Sequence, residues 1–178
     1  MSRKKKLLRN MLTITVITIL VYSSRSFYMS PMAAHKAAER NFHYGPSDII
    51  HVEDFSGGKY FLGKYDRWIS CSTIEKVWGP FWSYSGQITG IELETDKPIT
   101  YTWSFSWGSP KYYSEVYGIL HDQSIDKVDV HLMDGTVLTQ NEFYEDMFLL
   151  HWDGQVEFDR IIAYDSSGTA VFQDQRTR

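Results

Sequence analysis

Ile99-Thr100-Tyr101-Thr102-Trp103-Ser104-Phe105-Ser106-Trp107 alternates without a break, with rings at 101, 103, 105 and 107 and hydroxyls at 100, 102, 104 and 106. Successive side chains of a strand point to opposite faces, so an extended segment here has one aromatic face and one hydroxyl face. The same period of two recurs downstream. Val128, Val130 and Leu132 alternate with Asp129, His131 and Met133, and Asp134-Gly135 follows as a hairpin turn. Residues 159–165 and 169–174 flank Ser166-Ser167-Gly168, a second hairpin. Residues 147–152 (MFLLHW) are nearly all apolar, as in a strand covered on both faces.

Upstream, residues 48–54 and 59–66 read as strands joined by Phe55-Ser56-Gly57-Gly58. Periodicity does not decide between strand and helix for 67–77. Gly79-Pro80 and 83–86 mark a loop carrying Trp78, Phe81, Trp82 and Tyr84. Ile91 and Leu93 alternate with Glu92 and Glu94 as a half-buried strand that Pro98 ends. One helix stands apart. Ser30 is a preferred N-cap, Pro31 is preorganised for the first helical position, and the Ala-rich run to Phe42 has no β-branched residue. Ala34, Ala38 and Phe42 form its apolar stripe, and Gly45-Pro46 stops it.

The expected fold is therefore mainly β (α+β): an antiparallel β-sandwich or open barrel of about ten strands, with one N-terminal helix after a signal-anchor segment. The chain divides into that segment at 1–26, an α+β front half at 27–88 and an all-β back half at 89–178, the two halves forming one compact unit.

Residues 2–9 hold five Lys or Arg and no acid, and 11–22 (MLTITVITILVY) are uncharged. A basic flank before an apolar stretch is an export signal, and the positive side stays in the cytoplasm. Twelve residues are few for a span, which needs about 20. The expectation is a retained single-pass anchor, N-terminus inside and C-terminal domain outside, with secretion after cleavage near Ser23 as the alternative. From Ser26 onward there are 12 basic and 22 acidic residues. That sign excludes nucleic acid as a partner, because such binding neutralises phosphates with Lys and Arg. A single cysteine, Cys71, permits no intrachain disulfide, so the domain rests on its core alone. With 28 aromatic residues among 178, disorder is excluded as well.

The aromatic row is a carbohydrate-stacking platform if exposed and a core face if buried; core is the expectation. Trp78, Phe81, Trp82 and Tyr84 are the better binding candidates, with Trp103 and Trp107 added from the row. The six histidines lack metal-ligand spacing; His51-x-Glu53 and His151-x-Asp153 are same-face strand pairs, and no metal or cofactor is expected. Cys71 lies in a cysteine-poor, anchored β-domain, an arrangement similar to the sortase transpeptidases. Their Thr-Leu-x-Thr-Cys motif fails here, where Arg67-Trp68-Ile69-Ser70 precede the cysteine. Cys71 is expected to be structural, and no catalytic residue is assigned. Close acid pairs such as Glu142 with Glu145 carry no information in a chain with this many carboxylates.

The basic-apolar start, residues 30–46 (SPMAAHKAAERNFHYGP), residues 62–69 (LGKYDRWI) and the cysteine-poor β-rich remainder resemble small membrane-anchored extracytoplasmic proteins of Bacillus-like Gram-positive bacteria. The resemblance implies a location and neither an activity nor a catalytic residue. The function expected is a non-enzymatic interaction module at the outer face of the membrane, with the membrane as partner through the N-terminal segment and a protein or cell-wall glycan as the further partner. The alternative is a domain that binds or processes cell-wall glycan.

Overall fold

The structure, a computed structural model, describes residues 3–24, 27–84, 88–105 and 112–175. It is mainly β, built of antiparallel sheets that do not close into a barrel, with two helices. The first helix, α1 (Arg3–Ser24), carries the basic flank and the uncharged stretch. Its Thr13, Thr15 and Thr18 hydroxyls donate to the carbonyls four residues earlier, at 2.9, 3.0 and 2.8 Å. Such back-bonding hides the threonine hydroxyls within the helix itself. Among the described residues, no helix is long and apolar enough to cross a membrane.

The second helix, α2 (Pro31–Phe42), has the bounds its caps dictate. The Ser30 hydroxyl accepts from the Ala33 N–H at 3.2 Å, and His43 closes the far end in the left-handed region at φ +61°. Ala34, Ala37 and Ala38 are buried, and Ala34 packs on Phe61 and Ile74 of the first sheet.

That front sheet contains β1 (Asp48–Phe55), β2 (Gly58–Tyr65), β3 (Trp68–Trp78), β4 (Phe81–Tyr84) and β5 (Thr89–Glu92), in the order β1-β2-β3 with β4 and β5 sharing the far edge of β3. The middle sheet is β10-β7-β6, from β6 (Ile99–Phe105), β7 (Tyr113–Leu120) and β10 (Met147–Asp153). The back sheet is β12-β11-β8-β9, from β8 (Ile125–Leu132), β9 (Val137–Gln140), β11 (Phe158–Asp165) and β12 (Ala170–Gln175). Asp134-Gly135 and Ser167-Gly168 turn the β8–β9 and β11–β12 hairpins, with Gly135 and Gly168 at φ +89° and +82°.

Two hydrophobic cores lie on opposite faces of the middle sheet. Tyr113, Tyr117, Ile119, Met147 and Leu149 pack against Tyr60, Leu62, Ile69 and Cys71 of the front sheet. Ile99, Val116, Leu120, Phe148 and Leu150 pack against Val128, Val130, Leu132, Ile161 and Ala163 of the back sheet. The middle sheet is thus covered on both sides, which explains the unbroken apolar run of β10. Its central strand β7 is buried along its whole length. Gly118 in β7 admits the Phe148 ring, since a Cβ there would lie 2.6 Å from that ring and collide with the Thr100 carbonyl.

The segment 67–77, which periodicity leaves open, lies in the strand Trp68–Trp78 apart from Arg67, and one reading is corrected: the aromatic stretch after Gly79-Pro80 is strand rather than loop. Residues 69–74 are buried on both faces because α2 covers one and the middle sheet the other, so no polar face shows in the pattern. Only Gly79 and Pro80 make the turn, and Phe81, Trp82 and Tyr84 belong to β4.

Candidate functional site

β6 turns Tyr101 and Trp103 towards the back sheet and Thr100, Thr102 and Ser104 towards the front sheet, as its period of two requires. Tyr101 and Trp103 are half-buried against the back core. Trp103 stacks near Phe158, with centroids 6.1 Å apart, and the Tyr101 hydroxyl donates to Asp174 at 2.9 Å. The row therefore begins as core. It emerges at Phe105, which is 43% exposed and lies nearly parallel to Trp103, with centroids 5.5 Å apart and planes 13° apart. Trp107 lies outside the described residues.

Where the row emerges there is a cleft of about 310 Å³. Trp103, Phe105, Tyr112, Trp152 and Phe158 line it, with Val156, Gln155 and Glu157 from the segment joining β10 to β11. The Trp152 indole N–H donates to the Val156 carbonyl at 2.8 Å, which fixes that ring as one wall. This volume is at the lower end of the range for small-molecule sites, enough for one ring of a ligand or side chain.

The other candidates belong to the front sheet. Trp78 stands at the tip of the β3–β4 hairpin, 75% exposed, and stacks on Phe81 at 6.1 Å. Trp82 and Tyr84 are half-buried beside α2, where Phe42 meets Tyr84 edge-on at 6.1 Å. Trp78 and Trp82 border a wider, more open groove of about 800 Å³ with Phe55, Gly57, Lys76 and Tyr113. Trp78, Trp82 and Trp103 are thus divided between two grooves on two sheets and do not form one platform.

Three buried polar groups have the makings of chemistry. The His35 Nδ1 is 2.7 Å from the Ser72 Oγ, and its Nε2 is 3.3 Å from Glu39 Oε1, an order of groups seen in hydrolytic triads. All three are buried where α2 packs on the front sheet, and none lines the clefts described above. Burial lowers the His35 pKa despite the opposing pull of Glu39, which disfavours the protonated ring. Glu39 is committed elsewhere, accepting from the Ser47 N–H at 2.9 Å and from the Ser47 hydroxyl. The cluster fastens α2 to β3.

Cys71 is 1% exposed, and burial pushes its thiol well above the ordinary value. A thiol held protonated is no nucleophile. Glu115, on β7, faces the front sheet and is 2% exposed. Burial raises its pKa to about 7, against the opposing hydrogen bond from Ser104 and the nearby Tyr60 hydroxyl. Sequence reasoning passed over Glu115, because nothing in YSEVYGIL marks the acid as lying between two sheets. His51 does pair with Glu53, at 2.7 Å, and lies flat on Tyr144. Among the described residues, no three His, Cys, Asp or Glu side chains converge where a metal ion could sit.

The aromatic cleft combines an accessible ring, Phe105, with a wall fixed by the Trp152 hydrogen bond. No family model, curated protein or solved structure matches this chain. The functional reading therefore rests on geometry and charge.

Proposed function

We propose that the chain is a non-enzymatic interaction module at the outer face of a bacterial membrane, which binds a protein partner through the cleft at the end of β6. The single observation that carries the reading is the cleft itself. Phe105 is accessible while Trp103, Trp152 and Phe158 behind it are held by the back core, so the rings are preorganised. Rigid aromatic anchors of this kind dominate binding energy at protein interfaces. The extracytoplasmic location is supported by the basic flank at Arg3 to Arg9 before the uncharged stretch 11–22. A form secreted after cleavage of the N-terminal segment is the alternative location.

One observation favours the second reading, a cell-wall glycan ligand. Phe105, 43% exposed and nearly parallel to Trp103, gives the cleft mouth aromatic surface of the kind on which sugars stack. Both readings meet in one experiment. Intact cells producing the full chain are cross-linked, and the products are compared with those of Phe105→Ala, a change at the ring of the cleft mouth whose folding is checked by a thermal melt. The proposal expects a discrete protein adduct that Phe105→Ala removes. Adducts indifferent to Phe105→Ala would take the cleft out of the account. Co-sedimentation of the parent with purified wall glycan, lost in Phe105→Ala, would put the glycan reading first.

A further inference from the structure

We propose that the tip of the β3–β4 hairpin lies in the lipid headgroup layer beside α1, giving the module a second hold on the membrane. This rests on the membrane reading above and goes beyond it, since that reading gives the membrane contact to the N-terminal segment alone.

Chain connectivity comes first. Phe27 is three residues beyond the end of α1 at Ser24, a reach of at most about 10 Å whatever the orientation of the helix. At that point the chain is fastened to the hairpin. The Tyr28 N–H donates to the Trp82 carbonyl and the Trp82 N–H to the Tyr28 carbonyl, both at 2.8 Å. Phe27 meets Phe81 at 6.2 Å and Phe81 meets Trp78 at 6.1 Å, a continuous ladder of rings from the end of α1 to the hairpin tip. The tip is apolar and accessible: Trp78 is 75% exposed, Val77 beside it 44%, and Met29, next to Tyr28, 65%. An exposed patch of this kind calls for a partner.

Position and chemistry both point to lipid. Trp is the residue most at home at a membrane–water interface, where an apolar ring meets a polar edge. Charge at the tip is mixed: Asp54 and Glu75 line its groove beside Lys76, while on α2 Lys36 and Arg40 are exposed and Glu39 is turned inward to Ser47. The basic side chains among these are the ones an anionic headgroup would meet. There is also a reason for a second hold. The uncharged stretch at 11–22, as helix, is about 18 Å long, against a hydrocarbon core of about 30 Å. A marginal membrane anchor becomes stable when a second signal joins it.

The test uses the full chain reconstituted into vesicles of phosphatidylcholine and phosphatidylglycerol whose acyl chains are brominated near the headgroups. All six Trp lie beyond α1, so indole fluorescence reports on the folded domain and not on the inserted helix. Bromine quenches only indoles that touch lipid. The expected result is quenching that Trp78→Ala, an exposed and non-disruptive change, reduces by more than half. Flotation with the vesicles without quenching, or with quenching that Trp78→Ala leaves unchanged, would overturn the hairpin contact alone. Failure to float would overturn the membrane reading and this proposal together. Protection of Trp78 from oxidation by purified wall glycan, with no lipid quenching, would reassign the tip to glycan.

Discussion

A carboxyl between two sheets must be neutral or compensated. Glu115 stands opposite Ser104 of β6 and His151 of β10 in the register of the middle sheet, with Tyr60 reaching it from the front sheet. No lysine or arginine is among the groups that shift it, and its pKa rises from 4.5 to about 7 through burial. The folded protein therefore holds this proton over a range where the unfolded chain has released it. Stability is greatest below the unfolded value and falls as pH rises through about 7, by about 3 kcal/mol. Glu115→Gln, neutral at every pH, should abolish that fall. Urea denaturation at pH 5 and pH 8 checks it. Equal pH dependence in parent and variant would show that Glu115 is not the responsible group.

At the scale of elements, β6 shows how one strand divides its labour. Tyr101 and Trp103 belong to the back core, and Phe105 belongs to the cleft mouth. Trp103→Ala should cost about 3 kcal/mol, toward the low end for a core aromatic because the ring is half-buried. Equilibrium unfolding in urea measures it, and a parent-like midpoint would mean that the ring is a platform after all. The strict alternation of β6 made this strand readable from the sequence, as Ser30-Pro31 and Gly45-Pro46 did α2. β7 gave no such signal. Ser114, Glu115 and Gly118 interrupt its apolar run, yet each is buried: the acid by neutralisation, the glycine by the Phe148 ring laid over it. β3 hid for a related reason, since Ser70 and Ser72 face α2, where His35 takes up the Ser72 hydroxyl. Polarity patterns reveal strands with one wet face. These strands have none.

At the scale of the whole molecule, three sheets and α2 are held without a disulfide, by cores on both faces of the middle sheet. The candidate site is a product of that stacking. Trp103 was legible as a binding candidate because it sits in the aromatic row, whereas Tyr112, Trp152 and Phe158 are ordinary in their local sequence. They meet Trp103 only because β7 and β10 pair beside β6 and the back sheet folds over them. The most direct measurement of the account as a whole is labelling of a full-length Tyr112→Cys protein on intact cells with a membrane-impermeant maleimide. Tyr112 is 43% exposed on the lip of the cleft, and Cys71, the only native thiol, is buried and serves as an internal blank. An outward-facing domain gives prompt labelling of Tyr112→Cys without lysis and none of the parent. Labelling of Tyr112→Cys only after lysis would contradict it.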